Sequence, residues 1–242
     1  PYIHRFANVN NDDQQRIYGK AQVAYDFLPN FKATWKLTND YRTEQRDFRV
    51  AKLAQPQDRF RRGSIEAQEI NTELKVDYER DLTEAVSLQS FLAGRIRWET
   101  FQFEQKETTQ GLAAPGLFNI ENSVGRPDLT QNFRQKQVNS LYGDVTVGYN
   151  DFVYLTGTLR NDWASTLPGD DNSFLYPSIQ GSFIFTDLGP FQEQDILSYG
   201  KVRASWAKVG SSAPAYRLSP VFPVNTPFEG QPLQQVERSA PN

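Results

Sequence analysis

Polar and apolar residues alternate with a period of two over most of the chain, and each alternating run stops at residues that favour turns. Alternate side chains of a strand point to opposite sides of its sheet, so the pattern predicts an all-β chain. Eight strands are expected at 16–26, 31–52, 65–80, 85–107, 133–149, 152–164, 173–186 and 197–209. Several are much longer than the five or six residues or so of an ordinary strand. The connectors 27–30, 81–84, 150–151 and 187–196 are short, whereas 53–64, 108–132, 165–172 and the tail from Gly210 are mostly longer and richer in Gly, Pro and Gln. In an up-and-down meander the two sets lie at opposite ends of the sheet. One end is tight and the other elaborated, as in transmembrane β-barrels with short periplasmic turns and long extracellular loops. A structureless connector of about 25 residues is unusual inside a compact soluble domain.

Sorting each strand into its two faces sharpens the picture. One face reads Ala21, Val23, Tyr25, Phe27 and then Phe31, Ala33, Trp35, Leu37 in the first pair of strands. It continues with Ile70, Thr72, Leu74, Val76, Tyr78 and with Val86, Leu88, Ser90, Leu92, Gly94, Ile96, Trp98. The later strands give Leu141, Gly143, Val145, Val147, Tyr149; Val153, Leu155, Gly157, Leu159; Leu175, Pro177, Ile179, Gly181, Phe183, Phe185; and Val202, Ala204, Trp206. No charge stands among them. The interleaved face carries Lys20, Asp26, Lys32, Lys36, Glu73, Lys75, Asp77, Glu79, Arg95, Arg97, Glu99, Asp144, Arg160, Lys201 and Arg203. A Lys or Arg turned to lipid at mid-bilayer costs about 2–4 kcal/mol, so a charge-free face is what hydrocarbon demands. A soluble β-sandwich with its apolar face turned inward predicts the same alternation. Aromatic placement favours the membrane: Tyr25, Phe27, Phe31, Tyr78, Tyr149, Phe152, Phe183 and Phe185 gather beside the short turns, as an interfacial girdle does.

Composition removes other classes. Hydrophobic residues make up 38% of the 242, and no window approaches the run of about 20 apolar residues that a spanning helix needs. Aromatic residues at 13% are too many for a disordered chain. The net charge of −3 gives no footprint for nucleic acid. With no Cys, disulfides, thiolate metal sites and a Cys nucleophile are impossible. The start, Pro1-Tyr2-Ile3-His4-Arg5, has neither an apolar signal core nor an initiator Met, so the chain reads as an internal piece of something longer.

Candidate chemistry is sparse. His4 is the single histidine, in a polar leader, and cannot make a zinc set. The acidic turn Pro168-Gly169-Asp170-Asp171-Asn172 lacks EF-hand spacing. The carboxylates Glu73, Asp77 and Glu79, and Asp144 beside Arg160, fit the wall of a water-filled lumen better than an acid/base pair. No nucleophile constellation is visible, so neither catalysis, a cofactor nor a metal is expected. Arg95, Arg97 and Glu99, with Trp98, Phe101 and Phe103 nearby, form the densest mix of fork donors and aromatics, suited to sugar rings or peptide groups. With Arg160, Asp162 and Trp163 near the mouth, Arg95, Arg97 and Glu99 are the substrate-lumen candidates. The loop from Leu112 to Ile120 is expected to be structural.

Three stretches carry a family resemblance. Tyr149-Asn150-Asp151-Phe152-Val153-Tyr154-Leu155-Thr156-Gly157-Thr158-Leu159-Arg160-Asn161-Asp162, followed by Phe174-Leu175-Tyr176-Pro177-Ser178, resembles the "YNDRYLLTATLRRDGSS…FPS" strand pair of SusC/RagA-type TonB-dependent transporters. Leu197-Ser198-Tyr199-Gly200-Lys201-Val202-Arg203-Ala204-Ser205-Trp206-Ala207-Lys208-Val209-Gly210 is similar to the family's next strand, usually near "LKLRASYGQVGN". Gly111-Leu112-Ala113-Ala114-Pro115-Gly116-Leu117-Phe118-Asn119-Ile120 is similar to its "GLSVPGLYNL" extracellular loop. The resemblance implies that residues 1–242 form one partial β-barrel domain: about eight consecutive antiparallel strands of a barrel of about 22, with the plug, the TonB box and the remaining strands absent. It further implies import of oligosaccharides or peptides across the bacterial outer membrane. Its implied partners are a SusD-like surface lipoprotein, the TonB complex acting through the missing plug, and outer-membrane lipid. The competing expectation from the residues themselves is a soluble β-sandwich glycan-binding module.

Overall fold

Strands as long as those the alternation predicts are what the chain forms. A computed structural model describes residues 8–52, 57–168, 172–187, 199–210, 224–228 and 231–234. His4, the acidic positions 169–171 and the expected start of the last strand at 197–198 lie outside the described residues. Eight strands make one antiparallel sheet in chain order: β1 (Asn10–Leu28), β2 (Phe31–Val50), β3 (Arg59–Asp81), β4 (Val86–Glu107), β5 (Asp128–Tyr149), β6 (Val153–Ala164), β7 (Ser173–Ile184) and β8 (Lys201–Ala207). A separate antiparallel pair, β9 (Val224–Phe228) and β10 (Gln231–Gln234), lies in the tail, where only loop was expected. Among the described residues no helix is long and apolar enough to cross a membrane, which says nothing of a barrel.

The tight ends of the hairpins follow from local chemistry. Asn30 (φ 70°), Asn150 (φ 46°) and Asp151 (φ 58°) take the left-handed backbone that Asn and Asp tolerate better than other side-chain-bearing residues. Aromatic rings meet along this rim: Phe31 packs on Tyr78 with centroids 4.6 Å apart, and Phe152 packs on Tyr149 at 5.8 Å and Phe183 at 6.1 Å.

The register joins the charge-free positions into one continuous surface. Phe31, Ala33, Trp35 and Leu37 lie opposite Tyr78, Val76, Leu74 and Thr72. Further across, Val86, Tyr149, Val153, Phe183 and Val202 are successive partners in one row, and Ser90, Val145, Gly157, Ile179 and Trp206 in another. The Trp35 indole N–H donates to Thr72 Oγ1 at 3.1 Å, so this polar group of the apolar band has a partner. Between β4 and β5 the backbones approach so closely that a Cβ on Gly143 would run into the Phe91 carbonyl oxygen. Leu92, Leu155, Val202 and Trp206 are 59%, 52%, 58% and 61% exposed. No second layer covers this face among the described residues, as a sandwich core would require.

Strand length explains where the sequence pattern stops. β3 has 23 residues, about 75 Å of chain. At the usual tilt it rises to roughly twice the ~25 Å apolar band of an outer-membrane barrel. The apolar surface ends at the row Asn39, Ile70, Trp98, Gln137; in the next row stand Tyr41, Gln68, Thr100 and Gln135. Above that line both faces are polar or mixed and alternation vanishes. Hence β1 starts at Asn10 rather than 16, β3 at Arg59 rather than 65, and β5 at Asp128 rather than 133.

Ile179 and Gln180 are chain neighbours on opposite faces. In the full-length protein folded into lipid vesicles, Ile179→Arg is expected to lower unfolding stability by about 2–4 kcal/mol, and Gln180→Arg by well under half of that. Reversible denaturant titration measures both. Equal losses would mean that the apolar face does not meet lipid.

Candidate functional site

The charged face collects the groups able to do chemistry, and in its lower half they are bound to one another. Tyr142 of β5 donates its hydroxyl to Glu73 Oε2 of β3 at 2.5 Å, reaching across β4. Arg95 donates to Asn71 Oδ1 at 2.7 and 3.2 Å through two nitrogens, and Asn71 donates to Glu69 Oε1 at 2.7 Å. Lys75 pairs with Asp77 at 2.5 Å and lies 4.5 Å from the centroid of Phe91. Thr146 and Thr156 share a hydrogen bond of 2.9 Å. Such a wall is polar, and the charges just named each have an opposite charge or a neutral dipole beside them.

Five of the six lumen candidates stand on this face. Arg160 Nε donates to Asp162 Oδ1 at 2.8 Å, its Nη2 donates to Ser140 Oγ at 3.1 Å, and its guanidinium lies 5.1 Å from the Tyr142 centroid. Arg97 Nε pairs with Glu99 Oε1 at 2.9 Å. Arg95 lies opposite Ser140 and Ser140 opposite Asp162, so the β4 and β6 candidates meet in one row across β5. Trp163 is the correction. It follows Leu159 and Asn161 at a spacing of two, lies opposite Asn139, and so belongs to the apolar face, close to the height of Trp98. There an indole serves as an interfacial anchor. The residues that join the candidates, Tyr142, Ser140 and Asn71, were not singled out in the sequence. Only their strand parity marked them.

Above the apolar band the sheet is laced with ion pairs on both faces. Arg62 holds Asp47 through two bonds of 2.7 Å, Arg46 sits against Glu44 and Lys106 bridges to Glu104 at 2.9 Å. The Arg62, Arg46 and Lys106 hydrogen bonds hold Asp47, Glu44 and Glu104, respectively, below the usual carboxylate range. The β4–β5 connector is clasped onto this upper wall. Leu112 N–H donates to the buried Asp58 Oδ1 at 2.8 Å. Gly111 (φ 91°) brings the backbone so near that a Cβ there would lie 3.2 Å from the same oxygen. Asn122 closes the loop tip, accepting from Ala114 N–H at 3.0 Å and donating to the Ala114 and Leu117 carbonyls at 2.8 Å each. Phe60, 1% exposed, packs beneath against Phe118.

No family model matches the chain. TonB-dependent receptor P26 of Formosa agariphila is 33% identical over 101 residues, which are 41% of this chain and 10% of that protein. The RagAB peptide transporter superposes with a TM-score of 0.85 at 13% identity, covering 100% of this chain and 27% of that one. The RagAB peptide importer in its open-open state gives 0.81 at 13% identity, covering 97% of this chain and 26% of that one. The chain shares its fold with a stretch of those RagAB chains. It spans about a tenth of the curated relative and about a quarter of the solved chains.

Two outcomes follow. Tyr142→Phe removes one charge-assisted hydrogen bond and is expected to lower the stability of the full-length barrel by about 1–3 kcal/mol without changing cargo affinity, read by thermal unfolding and by calorimetric titration. The depressed carboxylates set the direction of a pH effect. Their folded values lie below the unfolded ones, so the stability they add is complete above the unfolded range, about pH 4–5, and is lost as pH falls through the lower folded values. Hydrogen exchange, corrected for its intrinsic pH dependence, should show the loop-side ends of β2–β4 opening below about pH 4, and Arg62→Ala should blunt that response.

Proposed function

We propose that the chain is part of the wall of a TonB-dependent importer of the bacterial outer membrane, which takes up oligosaccharides or peptides with a SusD-like surface lipoprotein over its loop side. The observation that carries this reading is the registered apolar face, uncovered and free of charge but for Arg80 at its turn-side edge, backed by a charged face on which many groups are paired. Such a pair of surfaces suits lipid on one side and a hydrated passage on the other. Residues 1–242 supply one partial barrel domain; the plug, through which the TonB complex would act, and the other strands belong to the rest of the protein. Arg95, Arg97, Glu99, Arg160 and Asp162 line the passage as polar wall, and no covalent chemistry is assigned to them. The relative named as a TonB-dependent receptor and the structures named as peptide transporters support this choice over an enzyme or a soluble glycan-binding module.

The full-length gene product is expected in the outer-membrane fraction, extractable only with detergent, and to migrate as a compact β-rich band in gels until boiled. Cargo uptake should stop when the TonB complex or the proton gradient is removed. Recovery of the protein in the soluble fraction without detergent would overturn the proposal.

A further inference from the structure

One row of the charged face, just above the height at which the apolar band ends, differs from the paired wall below. Arg16 lies opposite Arg42, Arg42 opposite Ala67, Ala67 opposite Phe101, and Phe101 opposite Arg134. The small Ala67 leaves a depression, walled by Arg42 and Phe101 and edged by the next row, Asp40, Glu69 and Glu99. The three carboxylates are each fixed by another group: Asp40 by Arg16 at 2.5 and 2.8 Å, Glu69 by Asn71 at 2.7 Å, and Glu99 by Arg97 at 2.9 Å. A carboxylate has about four lone-pair directions, so each keeps acceptor capacity toward the depression. Arg134 lies over the Phe101 ring at 4.5 Å, and Arg42, which attracts Asp40 and Glu44 at a distance, makes no hydrogen bond or ion pair among the described residues, so its donors stay open. A guanidinium fork, a row of oriented acceptors, and an apolar floor with an aromatic wall thus surround one recess.

We propose that this recess is a subsite for a uronate unit, a sugar ring bearing a carboxylate, within the cargo of the importer; the assignment rests on the import reading above and narrows its substrate class. The ring carboxylate takes the Arg42 fork, where two parallel N–H···O bonds match guanidinium to carboxylate. Ring hydroxyls donate to Asp40, Glu69 and Glu99. The apolar face of the ring lies over Ala67 against Phe101. A peptide fits less well, because the backbone groups of β2, β3 and β4 are already spent on the ladder and leave no edge for an added strand. A neutral sugar would leave the Arg42 donors unmatched once water is displaced.

The test uses the full-length protein purified in detergent with any copurifying lipoprotein. Calorimetric titration compares a short oligogalacturonide, a neutral galacto-oligosaccharide of equal length and an oligoglutamate peptide. The oligogalacturonide should bind tightest, and Arg42→Gln should weaken it by about tenfold or more. Arg42→Lys, which keeps the charge but loses the fork, should rescue little of that loss, and Phe101→Ala should weaken binding by several-fold; both variants must retain the heat-dependent gel shift. Binding of oligogalacturonide unchanged in Arg42→Gln, preference for the neutral sugar or the peptide, or no uronate binding at all would each overturn the subsite. If neutral sugar or peptide still binds and is taken up with TonB, the import reading stands and only the uronate assignment falls. If the protein is soluble without detergent and binds none of the probes, both fall.

Discussion

Hydrocarbon accepts neither a charge nor an unpaired peptide group, and nearly every feature of this chain answers to that constraint. In the proposed wall the ladders from β1 to β8 satisfy the backbone of the interior strands across the apolar band. The same constraint strips charge from one face, strand after strand, and sends it to the other. It also explains the rim of contacting rings beside the turns, where side chains with an apolar body are held at the boundary between oil and water.

Having been driven to one face, the charges named above find partners there on their own strand, on the adjacent strand or, for Glu73, across β4. Glu73 reaches Tyr142 over β4, and Arg160 touches both Asp162 and Ser140. The lower wall therefore offers a solvated but chemically quiet surface. Above the band the constraint lapses, both faces admit charge, and ion pairs and a clasped loop take over the work of holding the sheet in shape. There too Arg42 keeps its donors open, beside a small floor and an aromatic ring.

The fold was legible wherever hydrocarbon imposes alternation. Away from the turn-side edge, where Phe31 pairs with Leu28 across a bulge and Leu88 faces Arg80, the charge-free residues pair as parity implies, because a slip of one residue would turn a whole strand inside out. Legibility failed where that pressure is absent. Arg59-Phe60-Arg61-Arg62-Gly63 and Asp128–Asn132 are strand, yet both of their sides are polar or mixed, so no period marks them. Trp163 was misplaced for the converse reason: lying beside Asp162, it looked like part of a polar mouth, while its parity with Leu159 put it on the other face. Arg95, Arg97, Glu99, Arg160 and Asp162 were legible as a class of wall residue. Their actual partners were not, since Tyr142, Ser140 and Asn71 come from other strands and only the register brings them near.

The height of the wall has a mechanical corollary. In the proposed wall, between the Gln68 row and the Arg59 end of β3 the tilted sheet climbs roughly 20–25 Å above the oil. The lipoprotein cap proposed above, fastened by acyl chains to the same leaflet, would need a leash of at least about six to eight extended residues merely to reach the rim. Shortening the stilts or the leash alone would leave the lid hanging beside the doorway instead of across it.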